Sequence, residues 1–494
     1  MGLLIARDTF DEHEYDRFSE RLRASLEALE SLVRNRPGFG EGETTIGAEL
    51  ELFIVDDAGL PLPANRDVLA RTVDPRFTVE MDRFNLEFNA RPGLLAGRPF
   101  SALTTEINGA IAEISRAARE CSGRIVHIGI LPTLRREDLV LEKMTDIPRY
   151  VALSKGVRRL RGGPFHLRIN GVDPLALDTD DVAMEGACTS FQIHLRVSPA
   201  NFVRYYNAAQ LATIPTLAAS GNSPILVGHR LWEETRIALF KQSVDDRAEH
   251  PGWHPPPRVA FGHGWMRKSV VEAFAESVAL HVPLLPVLGE ENPLEAARRG
   301  QVPSLAELRL HHGTVWRWNR AVYDPADGGH FRIEFRALPA GPTTVDMVAN
   351  AAFMLGLTLG LAPDVDRILA AYPFPLAQYA FYRAAQSGLD AVFPWPTDAP
   401  PSPRDINARA LCLQLLPIAR RGLVDAGVDA EEADHYLSIF ASRVDTRRTG
   451  ASWQRRMLSE LLRNMPLQDA LQALLRQYET LSGGGAPVHE WPIH

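Results

Sequence analysis

Four short segments of the chain alternate polar and apolar residues, and each sets similar chemistry on one side. In Ile46 to Leu52, Glu49 and Glu51 fall on one face and Ile46, Ala48, Leu50 and Leu52 on the other. In 85–89, Glu87 and Asn89 share a face opposite Leu86 and Phe88. In 191–197, Gln192, His194 and Arg196 alternate with Phe191, Ile193, Leu195 and Val197, and in 331–336 Arg332 and Arg336 flank Glu334. One such segment reads equally as the solvent face of an antiparallel sheet. Four of them without a lysine weaken that reading. If they are neighbours in one sheet, Glu49, Glu51, Glu87 and Glu334 crowd one surface, and cations or arginines must neutralise them. Hard divalent cations, Mg²⁺ or Mn²⁺, suit such a cluster better than zinc. His194 offers a nitrogen ligand or a hydrogen bond to substrate, although a histidine alone is more often structural. Arginines grip anions bidentately. Carboxylates, divalent cations and arginines on one surface make a phosphoryl-transfer site.

These residues need a frame. Strand signals cover 44–55, 79–90, 124–132, 187–198 and 330–338, with helix signals at 11–34, 101–120, 201–219 and 343–362. Strand pairs and single helices alternate irregularly, which favours α+β with a mainly antiparallel sheet over a doubly wound one. Proline clusters at 251–257 and 394–403 mark connections. Beyond the second, 405–480 reads as helices.

Composition excludes several alternatives. Among 53 Lys and Arg residues only Lys143, Lys155, Lys241 and Lys268 are lysines, and none stands in a Walker A loop. A net charge of −8 argues against nucleic acid as the main partner. Three scattered cysteines give neither a disulfide framework nor a zinc finger and suit a reducing compartment. The N-terminus turns acidic too soon for a secretory signal. The apolar run 347–361 is too short to span a bilayer and reads as a buried helix. A soluble, cytoplasmic protein is expected, with no membrane partner and a homo-oligomer left open. Gly38 to Gly42 follows a helix and precedes a strand, the wrong context for a dinucleotide loop. His311-His312 and the Trp316/Trp318 pair read as packing residues, and Arg158 to Gly163 as a basic turn or a lid.

The motifs also resemble a known family. Gly47-Ala48-Glu49-Leu50-Glu51 resembles the GxExE signature of the glutamate–cysteine ligase type 2 family, the carboxylate–amine ligases. In order follow Glu87-Phe88-Asn89, Pro148-Arg149-Tyr150, the Gln192-x-His194 strand, Asn222-Ser223-Pro224 with Arg236, and Glu334-x-Arg336. The segment 311–323 only partly resembles the family's Thr-x-x-Trp-x-x-x-Arg region, with Asn319 and Arg320 standing there. The resemblance spans about 45–360 and implies a glutamine-synthetase-like curved antiparallel sheet with helices on its outer face. A catalytic domain over 1–370 is expected, and the helical part over 371–494, longer than a compact family member needs, reads as a C-terminal extension packed on it. ATP with Mg²⁺ (or Mn²⁺) would phosphorylate a carboxylate, typically that of glutamate, and an amine would attack the acyl phosphate. Glu49, Glu51, Glu87, His194 and Glu334 would hold metal. Arg332 and Arg336 would act on the transferring phosphoryl group, and Asn89, Gln192 and Arg236 would line the nucleotide and substrate site. A guanidino-type phosphotransferase on a similar sheet, or a binding protein that kept the fold, are the rival readings.

Overall fold

The computed structural model describes residues 5–249, 252, 254–396 and 403–492. Residues 1–4 of the N-terminal reading, 251 and 253 of the first proline cluster, and 397–402 of the second lie outside the described residues.

The alternating segments do fold as strands of one sheet. Its members are β1 (Thr45–Val55), β2 (Phe77–Val79), β3 (Asn85–Asn89), β4 (Gly93–Leu94), β5 (Arg124–Val126), β6 (Phe191–Arg196), β7 (Asn319–Asp324) and β8 (His330–Phe335). The order is β7-β8-β6-β1-β3-β2, with β4 and β5 on the two ends of β1, and every pairing is antiparallel. Register sets Glu49 opposite both Asn89 and Gln192, Glu51 opposite Glu87, and Glu334 opposite both His194 and Arg320. The reading of 79–90 as one strand differs from the structure, because a turn at Met81 to Phe84 separates β2 from β3. Likewise only Arg124–Val126 of 124–132 is strand.

The back of the sheet is apolar. Leu50, Leu52, Leu86, Phe88, Ile193, Leu195, Ile333 and Phe335 are buried there in the main core. Against this core lie the helices Pro199–Ser220 and Thr344–Leu361, which are buried almost all round. The helical run Thr344–Ala371 is long and apolar enough to cross a membrane, yet 89% of its most apolar window is buried inside the protein. Its neighbour Ala408–Asp425 comes close enough that Gly356, Gly360 and Gly422 leave no space for a Cβ.

The front face changes character along β1. Glu49, Glu51, Phe53 and Val55 share one parity, and at Phe53 the face passes from carboxylate to aromatic. Phe53 and Val55 enter a second apolar core with Phe84, Val126, Met184 and Leu167, which takes in Trp453, Leu474, Tyr478 and Trp491 from the C-terminal segment. Polar ties reinforce it: Asn222 Nδ2 donates to Ala340 O (2.7 Å) and Tyr478 Oη (2.9 Å), and Gln454 Nε2 donates to Asn222 Oδ1 (2.8 Å). Deeper, Arg443 pairs with Asp346 (3.0 Å) and also donates to Asn350, with both ion-pair partners buried. Arg443→Met leaves Asp346 charged and unpaired, and is expected to cost about 3–5 kcal/mol of unfolding free energy by denaturant titration.

Candidate active site

The polar parity of β1, β3, β6, β7 and β8 meets on the open part of the front face. Oxygens of Glu49 and Glu334 and a ring nitrogen of His194 lie within 4.8 Å of one another. His194 Nε2 is 3.0 Å from Glu49 Oε1 and 3.9 Å from Glu334 Oε1. Arg332 Nε lies 3.1 Å from His194 Nδ1, so the ring is held between Arg332 and Glu49. Arg332 is itself held by Asp324 (2.8 Å). Glu334 accepts two bonds from Arg320 (2.6 and 3.0 Å) and one from Arg336 (3.3 Å), while Arg336 also donates to Gln192 Oε1 (2.7 Å).

One strand position along, Glu51 accepts from Ser190 N (2.6 Å) and Gln192 Nε2 (2.9 Å), and Glu87 accepts from Asn89 Nδ2 (2.8 Å). All the carboxylates and their neighbours on these strands come together in one group. Arg236 stands apart in its contacts. Its guanidinium is buried, paired with Glu234 (2.9 Å) and bonded to Ala337 O (3.2 Å). It reaches the cluster through its field on Glu51.

Two further acids, Glu80 and Glu185, belong to the group and are not among the residues that the strand faces offer. Glu80 lies just past the end of β2, and Glu185 on the one-turn helix Ala183–Ala187 before β6, so neither sits in a period-two pattern. Arg320 is the third addition. In the sequence it marks only a departure within the segment 311–323, and its place opposite Glu334 follows from pairing of β7 with β8, which the sequence does not announce.

Electrostatically the group has two halves. Burial works against ionisation of Glu334, but Arg320, Arg336 and His194 outweigh it and hold the carboxyl well below its ordinary range. Burial likewise opposes ionisation of Glu49, and His194 reverses the balance. Around Glu51 the sign changes. Burial and then repulsion from Glu51 push Glu80 and Glu185 up to about 8. Burial and repulsion from Glu49, Glu80 and Glu51 raise Glu87 well above the usual carboxylate range. Glu51 is raised by burial despite Arg236 and Arg336. This half carries more carboxylate than its arginines balance. Its hard oxygens, with one imidazole in the other half, form a donor set that fits Mg²⁺ or Mn²⁺.

Beside the group a cavity of about 570 Å³ is lined by Arg149, Arg309, Arg320 and Arg332, and a smaller one of about 290 Å³ by Gly47, Glu49, His194 and Arg332. Arg158 to Gly163 is helical rather than a free turn. It is the last turn of the helix Pro148–Arg161 with Gly162 as its left-handed cap, and Arg161 is held by Pro164 O and Glu249. His312 is buried, bonded to Ser277 Oγ (2.7 Å) and Ala321 O (2.8 Å), and burial lowers it to about 3. Trp318 packs against Phe240 and Phe381.

The whole architecture recurs in a solved glutamate–cysteine ligase of Francisella tularensis, a complex with AMP. The TM-score is 0.55 at 12% identity, covering 92% of this chain and 91% of that one. A bifunctional glutathione synthetase of Pasteurella multocida aligns at a TM-score of 0.49 and 12% identity, over 94% of this chain and 53% of that one. Among curated protein sequences none matches the chain. Fold, site and sequence family together place the protein in the class of ATP-dependent carbon–nitrogen ligases. The model of glutamate–cysteine ligase family 2 matches residues 45–477, and the chain belongs to that family.

Proposed function

We propose that the protein joins a small-molecule carboxylate, with glutamate as the leading substrate, to an amine through an acyl phosphate, giving a γ-glutamyl-type amide. The observation that carries this reading is the meeting of Glu49, His194 and Glu334 within 4.8 Å, with Arg336 and Arg320 on the same carboxylate. That the neighbour of like fold binds AMP supports an adenine nucleotide here. Glu49, His194 and Glu334 would hold one divalent cation, and Glu51, Glu80 and Glu87 a second. Bound there, the cations would neutralise charge on the phosphate chain and on the transferring phosphoryl group.

The chain's own groups do the rest. Arg336, held between Glu334 and Gln192, and Arg332, held by His194 and Asp324, would act on the transferring phosphoryl group. A carboxylate oxygen of the substrate attacks the γ-phosphorus and ADP leaves. The amine nitrogen then attacks the acyl carbon, phosphate leaves, and the nitrogen gives up a proton. Gln192 and Asn89 fix Glu51 and Glu87, and Arg236 supports Glu51 from below with its field. The partners are small molecules, not nucleic acid or membrane, and three free cysteines suit a cytoplasmic setting.

ADP release should require both glutamate and an acceptor amine, with an amide of the summed mass, less water, seen by mass spectrometry. A phosphorylated amine in its place would turn the assignment to phosphotransfer, and release with other acids but not glutamate would replace the acid.

A further inference from the structure

Glu334 is the most heavily bonded carboxylate of the group, and both of its oxygens already face arginine. Arg320 closes a fork on it at 2.6 and 3.0 Å, and Glu334 is only 1% exposed. Glu334 already accepts three of the roughly four hydrogen bonds that a carboxylate's lone pairs allow, so a divalent cation must compete with a guanidinium for it. The three arginines around the cluster are not equivalent here. Arg336 has Gln192 as a second partner, and Arg332 has Asp324 and His194. The side chain of Arg320 bonds to Glu334 alone among the described residues. It also lines the 570 Å³ cavity, whose wall carries Arg149, Arg309 and Arg332 beside Glu290 and Glu291, so it has open space to turn into. A polyanion in that cavity would draw it there.

The geometry points to Arg320 as a stand-in cation that exchanges partners on loading. Without cations it neutralises Glu334. When nucleotide and metal arrive, it turns from Glu334 to the phosphate chain and releases the carboxylate to the metal. Metal and nucleotide binding are thereby coupled through one side chain, beyond their direct contact with each other. This inference rests on the proposed nucleotide and metal site.

The test is a Mn²⁺ titration of the full-length chain, followed by electron paramagnetic resonance of free Mn²⁺, with and without a non-hydrolysable ATP analogue. Arg320→Gln should bind Mn²⁺ about tenfold more tightly than the parent without nucleotide, and its nucleotide-induced gain in Mn²⁺ affinity should shrink about tenfold. Arg320→Lys, which keeps the charge and loses the fork, should fall between and serves if the glutamine variant does not fold. A natively folded variant with unchanged or weaker nucleotide-free Mn²⁺ binding overturns the exchange. A parent protein that binds no Mn²⁺ overturns the metal reading itself, and the exchange with it.

Discussion

Glu334→Gln is expected to lower amine-dependent ADP formation by at least about a thousandfold while the circular-dichroism spectrum stays that of the parent. The substitution keeps the shape and removes one charge from a residue that is almost wholly buried. Glutamine still offers one oxygen to Arg320, so the strand pair β7-β8 keeps its register. What is lost is the anion that balances Arg320, Arg336 and any cation shared with Glu49 and His194. The two guanidiniums then repel each other, and the melting temperature should fall by a few degrees at most. Turnover close to that of the parent would sink the assignment of Glu334, and with it the reading of His194 as a ligand.

The second large effect concerns pH and cations together. Glu80 and Glu185, pushed up to about 8, are raised in the folded state, so their contribution to stability is complete below about pH 4.5. It is lost as pH rises toward 8, where the fold must ionise carboxyls that crowd Glu51 and Glu87. Glu49 and Glu334 act in the opposite sense. Their carboxyls are lowered, so they stabilise above the ordinary carboxylate range and lose that contribution in stronger acid. Chelated protein should therefore melt highest at mildly acidic pH, with the melting temperature falling between about pH 5 and 8. Saturating Mg²⁺ or Mn²⁺ should remove most of that slope, because a cation replaces the protons as counter-charge. A slope that is flat without cations, or unchanged by them, would mean that the acids are screened by groups other than metal.

Much of this site could be read from alternation alone. Each of the four segments carries its polar site residues at a single parity (glutamates in three of them, and Gln192, His194 and Arg196 in the fourth), and a strand has no other way to place them than on one face. The sheet then had only to bring the segments together, and the ligase motifs occur in the order that such a sheet requires. What stayed hidden depends on tertiary placement. Glu80 and Glu185 lie off the strands, one just past the end of β2 and one on a single helical turn, and in the run 79–90 Glu80 has the parity opposite to Glu87. The fork of Arg320 on Glu334 needs the β7-β8 register. Arg236 shows the converse: its motif is plain in the sequence, but the fold commits its guanidinium to Glu234. The parity of Phe53 and Val55 with the glutamates could have announced that the front face closes at that end, but only the C-terminal helices supply what closes it.

That closure also bounds the site. The cavities beside the cluster lie toward Gly47 and Arg332, whereas beyond Glu51 the trough ends against Phe53 and the aromatic rings of the C-terminal segment. The helices that look remote from the site are thus one wall of it, and a change in their packing on Phe53 would alter the length of the polar face left open beside Glu51.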